Sequence, residues 1–317
     1  MTGPPTHLRA YAPAKLNLDL QILGRRADGF HELRSTFCAV NLYDVLEVRT
    51  ADEPGISLTV HGGGPDVPAG ADNLVCRAFE AVAALSRTAN RPNGHVLELW
   101  KRIPSQAGMG GGSSDAAAAL AIAARLFPDV RRRAIDEAAA GLGSDLNFFL
   151  SGLTAAICTG RGETISPVRR RPPTAFVVVK PDLGLSTADV FRRYQADSPR
   201  GDHVNLTKNV QNGSGRIRSA YNALLVPALE SDPAFAAWWS RLRTAATASP
   251  HPWSMTGSGS AVFRPAANIE TARREARRLS AGLGCWSRAA TPGGLRVFER
   301  SAADPPIRNR QPGPELR

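Results

Sequence analysis

The stretch IPSQAGMGGGSSDAAAAL, residues 103–120, decides how this sequence is read. Three consecutive glycines, Gly110, Gly111 and Gly112, are followed by two serines and then by an alanine-rich run. Gly/Ser-rich sequence is typical of a flexible linker, but here residues that favour a helix begin at once. The alternatives are a tight structural turn and a loop whose bare backbone approaches a phosphate before entering a helix. The residues favour the phosphate loop.

Three known glycine loops do not fit this stretch. No lysine follows the glycines, as a Walker A loop requires, and Ser113 stands where a dinucleotide-binding loop needs its third glycine. The pattern of a serine nucleophile elbow is also absent. Ser113 and Ser114 are good N-cap residues, and their hydroxyls can also reach a phosphate or a Mg²⁺ ion. Without a lysine in the loop, the other charged groups of the site must come from elsewhere in the chain.

Length and composition predict a folded protein of one large or two medium domains, since the chain has 317 residues and 43% are apolar. The net charge of +11 raises nucleic acid as a partner. The arginine runs at 131–133 and 169–171 are not interleaved with aromatic residues, and no nucleic-acid-binding motif appears. We therefore expect a basic surface that attracts a small anionic substrate, and no nucleic-acid partner.

The apolar stretches and the cysteines predict a cytoplasmic protein. The longest apolar stretch, residues 116–124, is far shorter than the roughly 20 residues that span a membrane. The first residues lack the apolar segment of a signal peptide. Neither the six histidines nor the four cysteines have metal-ligand spacing. We expect reduced cysteines, no structural metal and no membrane association.

Strand-like and helix-like segments alternate irregularly, which predicts an α+β protein. The predicted strands are 17–23, 45–49, 56–60, 96–100, 154–158, 175–179, 260–263 and 295–299. The predicted helices are 73–86, 114–127, 132–140, 187–194, 217–225, 233–244 and 269–281. An arginine- and proline-rich stretch at 168–173 marks a boundary, and the proline-rich residues after 302 are predicted to be disordered.

Three further segments carry candidate functional residues. Residues 255–262, MTGSGSAV, form a second glycine loop before a strand. Residues 141–150, GLGSDLNFFL, place Asp145 beside glycines and ahead of two phenylalanines. Near the start of the chain, Lys15 and Asn17 lie two residues apart, on the same face of a strand. A lone lysine or aspartate is usually solvated surface, but both of these charges lie in apolar surroundings.

Together these segments resemble the GHMP kinase superfamily and, within it, the 4-diphosphocytidyl-2-C-methyl-D-erythritol kinase family. The matching segments, in the order of the family, are PAKLNLDLQILGRRADGFHEL, IPSQAGMGGGSSDAA, GLGSDLNFFLSG, GRGE and MTGSGSAVF. The resemblance covers residues 10–299. It implies two α+β domains with the active site in the cleft between them. The first, at 8–167, resembles domain 2 of ribosomal protein S5, and the second, at 174–301, is ferredoxin-like. Residues 302–317 form a tail without a counterpart.

The resemblance also implies a reaction, the transfer of the γ-phosphoryl of ATP to the 2-hydroxyl of the methylerythritol part of a cytidine diphosphate substrate. Lys15 and Asp145 match the two residues that face the accepting hydroxyl. Asp145 would accept the hydroxyl proton and Lys15 would stabilise charge on the alcohol oxygen. Mg²⁺ would arrive with ATP and neutralise its phosphates. Ser114 is the one side chain that we consider as a ligand of the metal.

Other residues are assigned to ATP by the resemblance. The loop positions that would hold the triphosphate are Pro104, Ser105, Gln106, Ala107, Gly108, Met109, Gly110, Gly111, Gly112, Ser113 and Ser114. Asn73 and Lys101 match positions near the adenine.

The cytidine substrate is assigned a second set of residues. Phe30 and His31 match an aromatic–histidine pair that receives the cytosine, and Phe191 matches a second aromatic that would sandwich the base. The other residues expected to contact this substrate are Asn17, Gly257, Ser258 and Gly259. The chain differs from the usual family sequence at two positions. Phe30 stands where the family commonly has tyrosine, and Asn147 stands where it commonly has proline.

Two other functions stay open at this point. A related GHMP kinase acting on a homoserine- or mevalonate-type alcohol would share the glycine loop, which by itself indicates only the superfamily. A basic protein that binds nucleotide or nucleic acid without catalysis would share the charge. We expect a monomer or a weak homodimer.

Overall fold

The computed structural model describes residues 6–87, 94–169, 171–194, 221–246, 249–301, 304 and 307. The strands in this part of the chain are β1 (His7–Arg25), β2 (His31–Ala51), β3 (Ile56–His61), β4 (Gly94–Trp100), β5 (Ala155–Gly160), β6 (Thr164–Pro167), β7 (Phe176–Lys180), β8 (Ser254–Met255), β9 (Val262–Pro265), β10 (Trp286–Ala290) and β11 (Arg296–Glu299). The helices are α1 (Leu74–Ala83), α2 (Gly111–Leu126), α3 (Arg132–Leu142), α4 (Leu146–Leu150), α5 (Thr187–Arg193), α6 (Leu225–Ser231), α7 (Pro233–Ala245) and α8 (Ile269–Leu283).

The strands form two sheets, as an α+β fold requires. The first sheet has the order β11-β1-β2-β4-β3, and the hairpin of β5 and β6 is added to it through β2. The second sheet has the order β10-β7-β9-β8 and is antiparallel throughout. The predicted α+β class is therefore confirmed.

A bulge in the pairing of β1 with β2 marks the point where the side chains of β1 change faces. Residues 12–20 of this strand are all buried, so the strand has no solvent face. Before the bulge between Pro13 and Ala14, residues such as Ala12 pack in the core under the helices. After it, Ala14 and Leu16 pack against the second sheet. The partners of Pro13 and Ala14 are Tyr43 and Val40, so the unpaired residues of this bulge, Asn41 and Leu42, lie in β2. The positions of β1 that face the helices change here from even to odd, and Lys15 lies against the N-terminus of α2.

The helix α2 is the centre of the first core. Its residues 114–120 are all buried, and its alanines let it pack closely against β1 and α1. A helix that is apolar on nearly every side is expected to be enclosed in a large domain. The position of α2 fixes where the preceding glycine loop enters the helix.

The second core lies between the second sheet and the helices α5–α8. It includes Trp238 and Trp239 from α7 and Leu279 from α8. After β10, the chain returns to the first sheet, where β11 pairs with β1. The segment 174–301 thus contributes its last strand to the first sheet, and the proposed domain boundaries stay a prediction.

Several element boundaries differ from the sequence-based expectations. The predicted strand 45–49 is only one part of β2, and the predicted strand 260–263 begins two residues later, as β9. The strands β6, β8 and β10 and the helix α4 were not predicted. Of the predicted helix 217–225, residues 217–220 lie outside the described residues, and the helix α6 begins only at Leu225. The predicted tail, apart from 304 and 307, also lies outside them.

None of the helices in the described ranges is long and apolar enough to cross a membrane.

His95 gives the first core a predicted pH dependence. Its ring lies 4.9 Å from that of Phe79 and 5.7 Å from that of Phe127, between centroids. Burial lowers the pKa of His95 below its usual 6.5. The unfolded chain therefore takes up a proton at a higher pH than the folded chain, and stability is lost as the pH falls through about 6.5. We expect His95→Leu to weaken this loss, measured as the free energy of unfolding in urea at pH 7.5 and pH 5.5.

The matched control for this prediction is His251→Leu, at a histidine in a loop outside both sheets. The same pH dependence in His95→Leu and in the unmodified chain would contradict the assignment.

Candidate active site

Lys15 is buried at the junction of the first sheet and the glycine loop, with 5% of its surface exposed. Its backbone N–H donates to the carbonyl of Met109 at 2.9 Å. Its Nζ donates to Oδ1 of Asn17 at 2.7 Å and lies 3.7 Å from Oδ2 of Asp145. The same ammonium lies 4.6 Å from the ring centroid of Phe37, within the range of a cation–π contact. The buried charge is therefore compensated on several sides.

Asp145 lies at the start of the short helix α4, where its carboxylate makes no capping hydrogen bond. Its side chain is 24% exposed, so one side faces Lys15 and the other remains accessible. The structure thus brings together two residues that are 130 positions apart in the sequence. A partly exposed carboxylate beside a buried ammonium can accept a proton from a bound alcohol.

Cys158 lies behind this pair in a small aromatic core. Burial, followed by the nearby Asp145 carboxylate, raises the pKa of the Cys158 thiol to about 12, although Lys15 opposes this. A thiol with so high a pKa is a poor nucleophile at neutral pH. The candidate reactive groups at this position are therefore Lys15 and Asp145.

Asn17 connects the lysine to the second glycine loop. Its Oδ1 accepts hydrogen bonds from Nζ of Lys15 at 2.7 Å, from the backbone N–H of Gly257 at 2.7 Å and from Oγ1 of Thr256 at 3.1 Å. Its Nδ2 donates to Oγ of Ser35 at 2.8 Å. The amide is 2% exposed. These bonds give Asn17 a positioning role, and its direct contact with substrate stays a prediction.

The two glycine loops are bonded to each other. The N–H groups of Ser260 and Ala261 donate to the carbonyls of Gln106 and Ala107, both at 3.2 Å. Gly108 has a φ of +68°, and a Cβ there would overlap the backbone oxygen of Thr256. Only glycine suits both the conformation and the close approach. The second loop therefore fixes the shape of the first.

The other predicted residues of the second loop lie close to α5. The hydroxyls of Ser258 and Thr187 are 2.7 Å apart, and the N–H of Gly259 donates to the carbonyl of Thr256 at 3.0 Å. These contacts support the loop, and they place Ser258 between the first glycine loop and the helix that carries Phe191.

A cavity of about 460 Å³ lies along the first glycine loop. Its lining includes the whole of 104–112, together with Asn73 and Lys101. Both the predicted triphosphate residues up to Gly112 and the predicted adenine residues therefore share one cavity. Its other lining residues, which sequence analysis missed, are Asp66, Val67, Pro68, Asp72, Leu74, Leu99, Ile103 and Asp115.

The N-terminus of α2 opens without a side-chain cap. The helix begins at Gly111, and Gly110 is its N-cap, with a φ of +68°. The expected start at Ser114 is wrong, and Ser113 and Ser114 lie within the first turn. The first N–H groups of a helix have no partner within it, and the helix dipole adds partial positive charge there. An uncapped N-terminus beside a cavity suits a phosphate.

Gly110 also leaves room for the lysine. A Cβ at this position would lie 3.1 Å from Cγ of Lys15 and 3.3 Å from its Cε. The side chain of Lys15 therefore passes directly against the start of α2, and the missing Cβ lets it do so.

Lys101 is held by two carboxylates. Its Nζ donates to Oδ2 of Asp44 and, at 2.6 Å, to Oδ2 of Asp115. Burial alone would lower the pKa of Lys101, but Asp115 and Asp44 raise it above its usual value. Asp44 also accepts a hydrogen bond from the backbone N–H of Ile103 at 2.8 Å. Lys101 thus secures the start of the loop, and its predicted contact with adenine stays a prediction.

Asn73 has a structural contact as well. It is the N-cap of α1, where its Oδ1 accepts from the N–H of Val75 at 2.9 Å. Its Nδ2 donates to the carbonyl of Pro68 at 2.6 Å. Asn73 therefore holds the segment that forms the outer wall of the cavity.

Ser114 and Asp115 contain polar atoms that still need a partner. In the part of the chain that the structure describes, Oγ of Ser114 and Oδ1 of Asp115 are buried without a hydrogen bond. Buried polar atoms are normally bonded, so each marks a place where a partner is expected. In the same ranges, no group of three or more acidic, histidine or cysteine side chains could hold a metal.

The aromatic residues predicted for the base form a group next to the turn at 160–163, which also approaches Asp145. Phe30 is 54% exposed, and the ring of His31 lies 5.2 Å from that of Phe191 and 5.9 Å from that of Tyr194. Two rings so close leave no space for a base between them. Burial, together with Arg25, lowers the pKa of His31, which favours the neutral imidazole. Tyr194 was missed, because a lone tyrosine gives no signal in the sequence.

Comparison with known proteins identifies a family for this site. Residues 73–153 match the family described as GHMP kinases N terminal domain. The chain is 37% identical over 276 residues to 4-diphosphocytidyl-2-C-methyl-D-erythritol kinase of Pelotomaculum thermopropionicum, covering 86% of this chain and 93% of that protein. It is 40% identical over 275 residues to the protein of the same name from Solibacter usitatus, covering 81% of this chain and 80% of that protein.

Solved structures agree with these relatives. A crystal structure of 4-(cytidine 5'-diphospho)-2C-methyl-D-erythritol kinase has a TM-score of 0.72 and 34% identity, covering 90% of this chain and 99% of that chain. A homoserine kinase from Cytophaga hutchinsonii has a TM-score of 0.64 at 16% identity, covering 94% of this chain and 99% of that chain, and it shows a shared fold alone. The chain has the two-domain GHMP kinase fold and belongs to the 4-diphosphocytidyl-2-C-methyl-D-erythritol kinase family.

Proposed function

We propose that this protein transfers the γ-phosphoryl of ATP to the 2-hydroxyl of 4-diphosphocytidyl-2-C-methyl-D-erythritol. The observation that carries the proposal is the Lys15–Asp145 pair, whose charged atoms lie 3.7 Å apart against the start of α2. The loop cavity lies beside the pair, and the aromatic residues lie next to the turn at 160–163, which also approaches Asp145. Family membership supports the same reaction, which belongs to the synthesis of isoprenoid precursors.

Asp145 is the proposed base. Its side chain is partly exposed and makes no capping hydrogen bond. Within the described residues, the only ion pair of Asp145 is with Lys15. The accepting hydroxyl would donate its proton to this carboxylate as the oxygen approaches the phosphoryl group. A positioned base of this kind contributes roughly 10²–10⁴-fold to a rate.

Lys15 is the proposed electrostatic partner of the acceptor oxygen. One of its three ammonium protons is used by Asn17, and the Asp145 carboxylate lies at a longer distance. The remaining donor capacity can point to the alcohol oxygen, where negative charge develops as the proton leaves. Phosphoryl transfer depends chiefly on such positioning and charge stabilisation.

The glycine loop is the proposed triphosphate cradle. The uncapped turn at Gly111 and Gly112 supplies backbone N–H groups, and the absence of side chains lets phosphate approach them. Mg²⁺ bound with ATP would neutralise charge on the phosphates. The buried, unpartnered hydroxyl of Ser114 fits an oxygen ligand for this ion.

The finer assignments complete the proposal. The base-binding roles of Phe30, His31 and Phe191 rest on the family resemblance, and the exposed ring of Phe30 is the proposed stacking surface, since the rings of His31 and Phe191 leave no space between them. The four cysteines of the described residues are free and buried, which supports the proposal that the protein is located in the reducing cytoplasm. Three further expectations stay predictions. They are the domain boundaries at 8–167 and 174–301, the monomeric or weakly dimeric state, and the lack of a nucleic-acid partner.

A panel of acceptors tests the substrate. The protein would be assayed for ADP formation with Mg²⁺, ATP and, separately, the cytidine diphosphate substrate, homoserine and mevalonate. We expect turnover with the cytidine substrate alone. Turnover with homoserine or mevalonate would favour the related kinases. Salt-sensitive duplex binding without any ATP turnover would favour the non-catalytic alternative.

Substitution of Asp145 tests the base. We expect Asp145→Asn to lower kcat by about 10²–10⁴-fold, because the amide cannot accept the proton. ATP binding, measured by calorimetry, should change little, since the glycine loop is untouched. The control is Asp136→Asn, at an exposed carboxylate on α3. An Asp145→Asn protein with full activity would rule out this residue as the base.

A further inference from the structure

The turn between β5 and β6 lies between the catalytic pair and the aromatic residues. A Cβ on Gly162 would be 3.5 Å from Oδ1 of Asp145. The neighbouring residue, Arg161, holds its guanidinium carbon 4.6 Å from the ring centroid of Phe30. Two adjacent residues of one turn therefore contact the proposed base of the reaction and the proposed platform for cytosine.

Hydrogen bonds hold this turn in place. The N–H of Arg161 donates to Oε2 of Glu163 at 2.6 Å, and the N–H of Gly162 donates to the carbonyl of Thr159 at 3.1 Å. The N–H of Gly160 donates to Oε1 of Glu32 at 3.2 Å. Gly160 and Gly162 have φ values of +77° and +119°, which favour glycine. The backbone under Arg161 is thus built to a fixed shape.

The charge of Arg161 is compensated less directly than those of its neighbours, since the carboxylate that it acts on, Asp28, is already hydrogen-bonded to Arg26. Nζ of Lys15 is bonded to Asn17, and Arg26 is paired with Asp28 at 3.1 Å and with Glu32 at 2.9 Å. Within the described part of the chain, Arg161 forms no salt bridge. Its guanidinium lies over an aromatic face, which leaves its N–H edges free to point outward.

We propose that Arg161 binds the diphosphate of the cytidine diphosphate substrate. This inference rests on the proposed function, which places the base near Phe30 and the accepting hydroxyl at Asp145. The diphosphate joins these two parts of the substrate and must pass between their sites. A guanidinium suits this position, because its planar edge can donate two parallel hydrogen bonds to phosphate oxygens.

The first test is kinetic. Arg161→Gln keeps a polar side chain but removes the charge, and we expect it to raise KM for the cytidine substrate about 10-fold. The kcat at saturation and KM for ATP should stay within about threefold, since Asp145 and the glycine loop are unchanged. Arg161→Lys should restore part of the loss. The control is Arg133→Gln, at a 90% exposed arginine side chain on α3.

The second test measures binding without turnover, using cytidine and cytidine diphosphate as probes in calorimetry. We expect the unmodified protein to bind the diphosphate more tightly than cytidine, and Arg161→Gln to reduce this preference about 10-fold while leaving cytidine binding nearly unchanged. An equal loss for both probes would mean that Arg161 acts through the stacking of Phe30 alone, and this would overturn the proposal. An unchanged preference would overturn it as well.

The two tests also separate this proposal from the proposed function. The protein could show no kinase turnover and still bind cytidine diphosphate more tightly than cytidine in a way that depends on Arg161. That result would support the binding role of Arg161 and reject the proposed reaction. Kinase turnover with a KM for the cytidine substrate that is independent of Arg161 would support the reaction and reject the binding role.

Discussion

The site depends on one buried amide oxygen, Oδ1 of Asn17, which accepts hydrogen bonds from three donors in two parts of the chain. One donor is the ammonium of Lys15 on β1 of the first sheet. The other two, the hydroxyl of Thr256 and the N–H of Gly257, come from the loop that precedes β9 of the second sheet. Because the second loop is also bonded to the first glycine loop, this amide connects the lysine to the loop that lines the cavity of about 460 Å³. Fixing these elements together gives the precise positioning on which phosphoryl transfer depends.

The bulge in the pairing of β1 with β2 makes this arrangement possible. A regular strand would continue the alternation set by Ala12, and Lys15 would then point into the apolar layer between the sheets. At the bulge after Pro13 the positions of β1 that face the helices change from even to odd. Lys15 is thereby directed to the start of α2, where Asn17, Asp145 and the ring of Phe37 compensate its charge. A buried ammonium is costly unless it is paired and hydrogen-bonded. The same feature therefore explains both the position of the lysine and its tolerance in a buried strand.

The sequence indicated which residues meet at the candidate site better than it indicated their geometry. Lys15, Asp145 and the glycine loop stand in recognisable motifs, so their proximity could be expected. The N-cap at Gly110 could not be expected, because serines ordinarily cap helices and no local sequence feature indicates a glycine N-cap here. The bulge depends on how β1 pairs with β2, and the enclosure of Lys101 by Asp44 and Asp115 depends on side chains far apart in sequence. The position of Arg161 over Phe30 follows from the hairpin of β5 and β6, whose second strand was not predicted. Tertiary contacts determine all of these features.

The most direct test of this account is the kcat of Asn17→Leu, with thermal unfolding measured to confirm that the variant is folded. Leucine has a similar size but no acceptor, so Lys15 loses its nearest partner and its fixed position. Misplacement of a catalytic group by about 1 Å can cost about 100-fold in rate, and we expect kcat to fall by about this factor. Asn17→Asp, which keeps an acceptor oxygen, should retain more of the activity than Asn17→Leu. A folded Asn17→Leu protein with the kcat of the unmodified enzyme would contradict the central role of this amide.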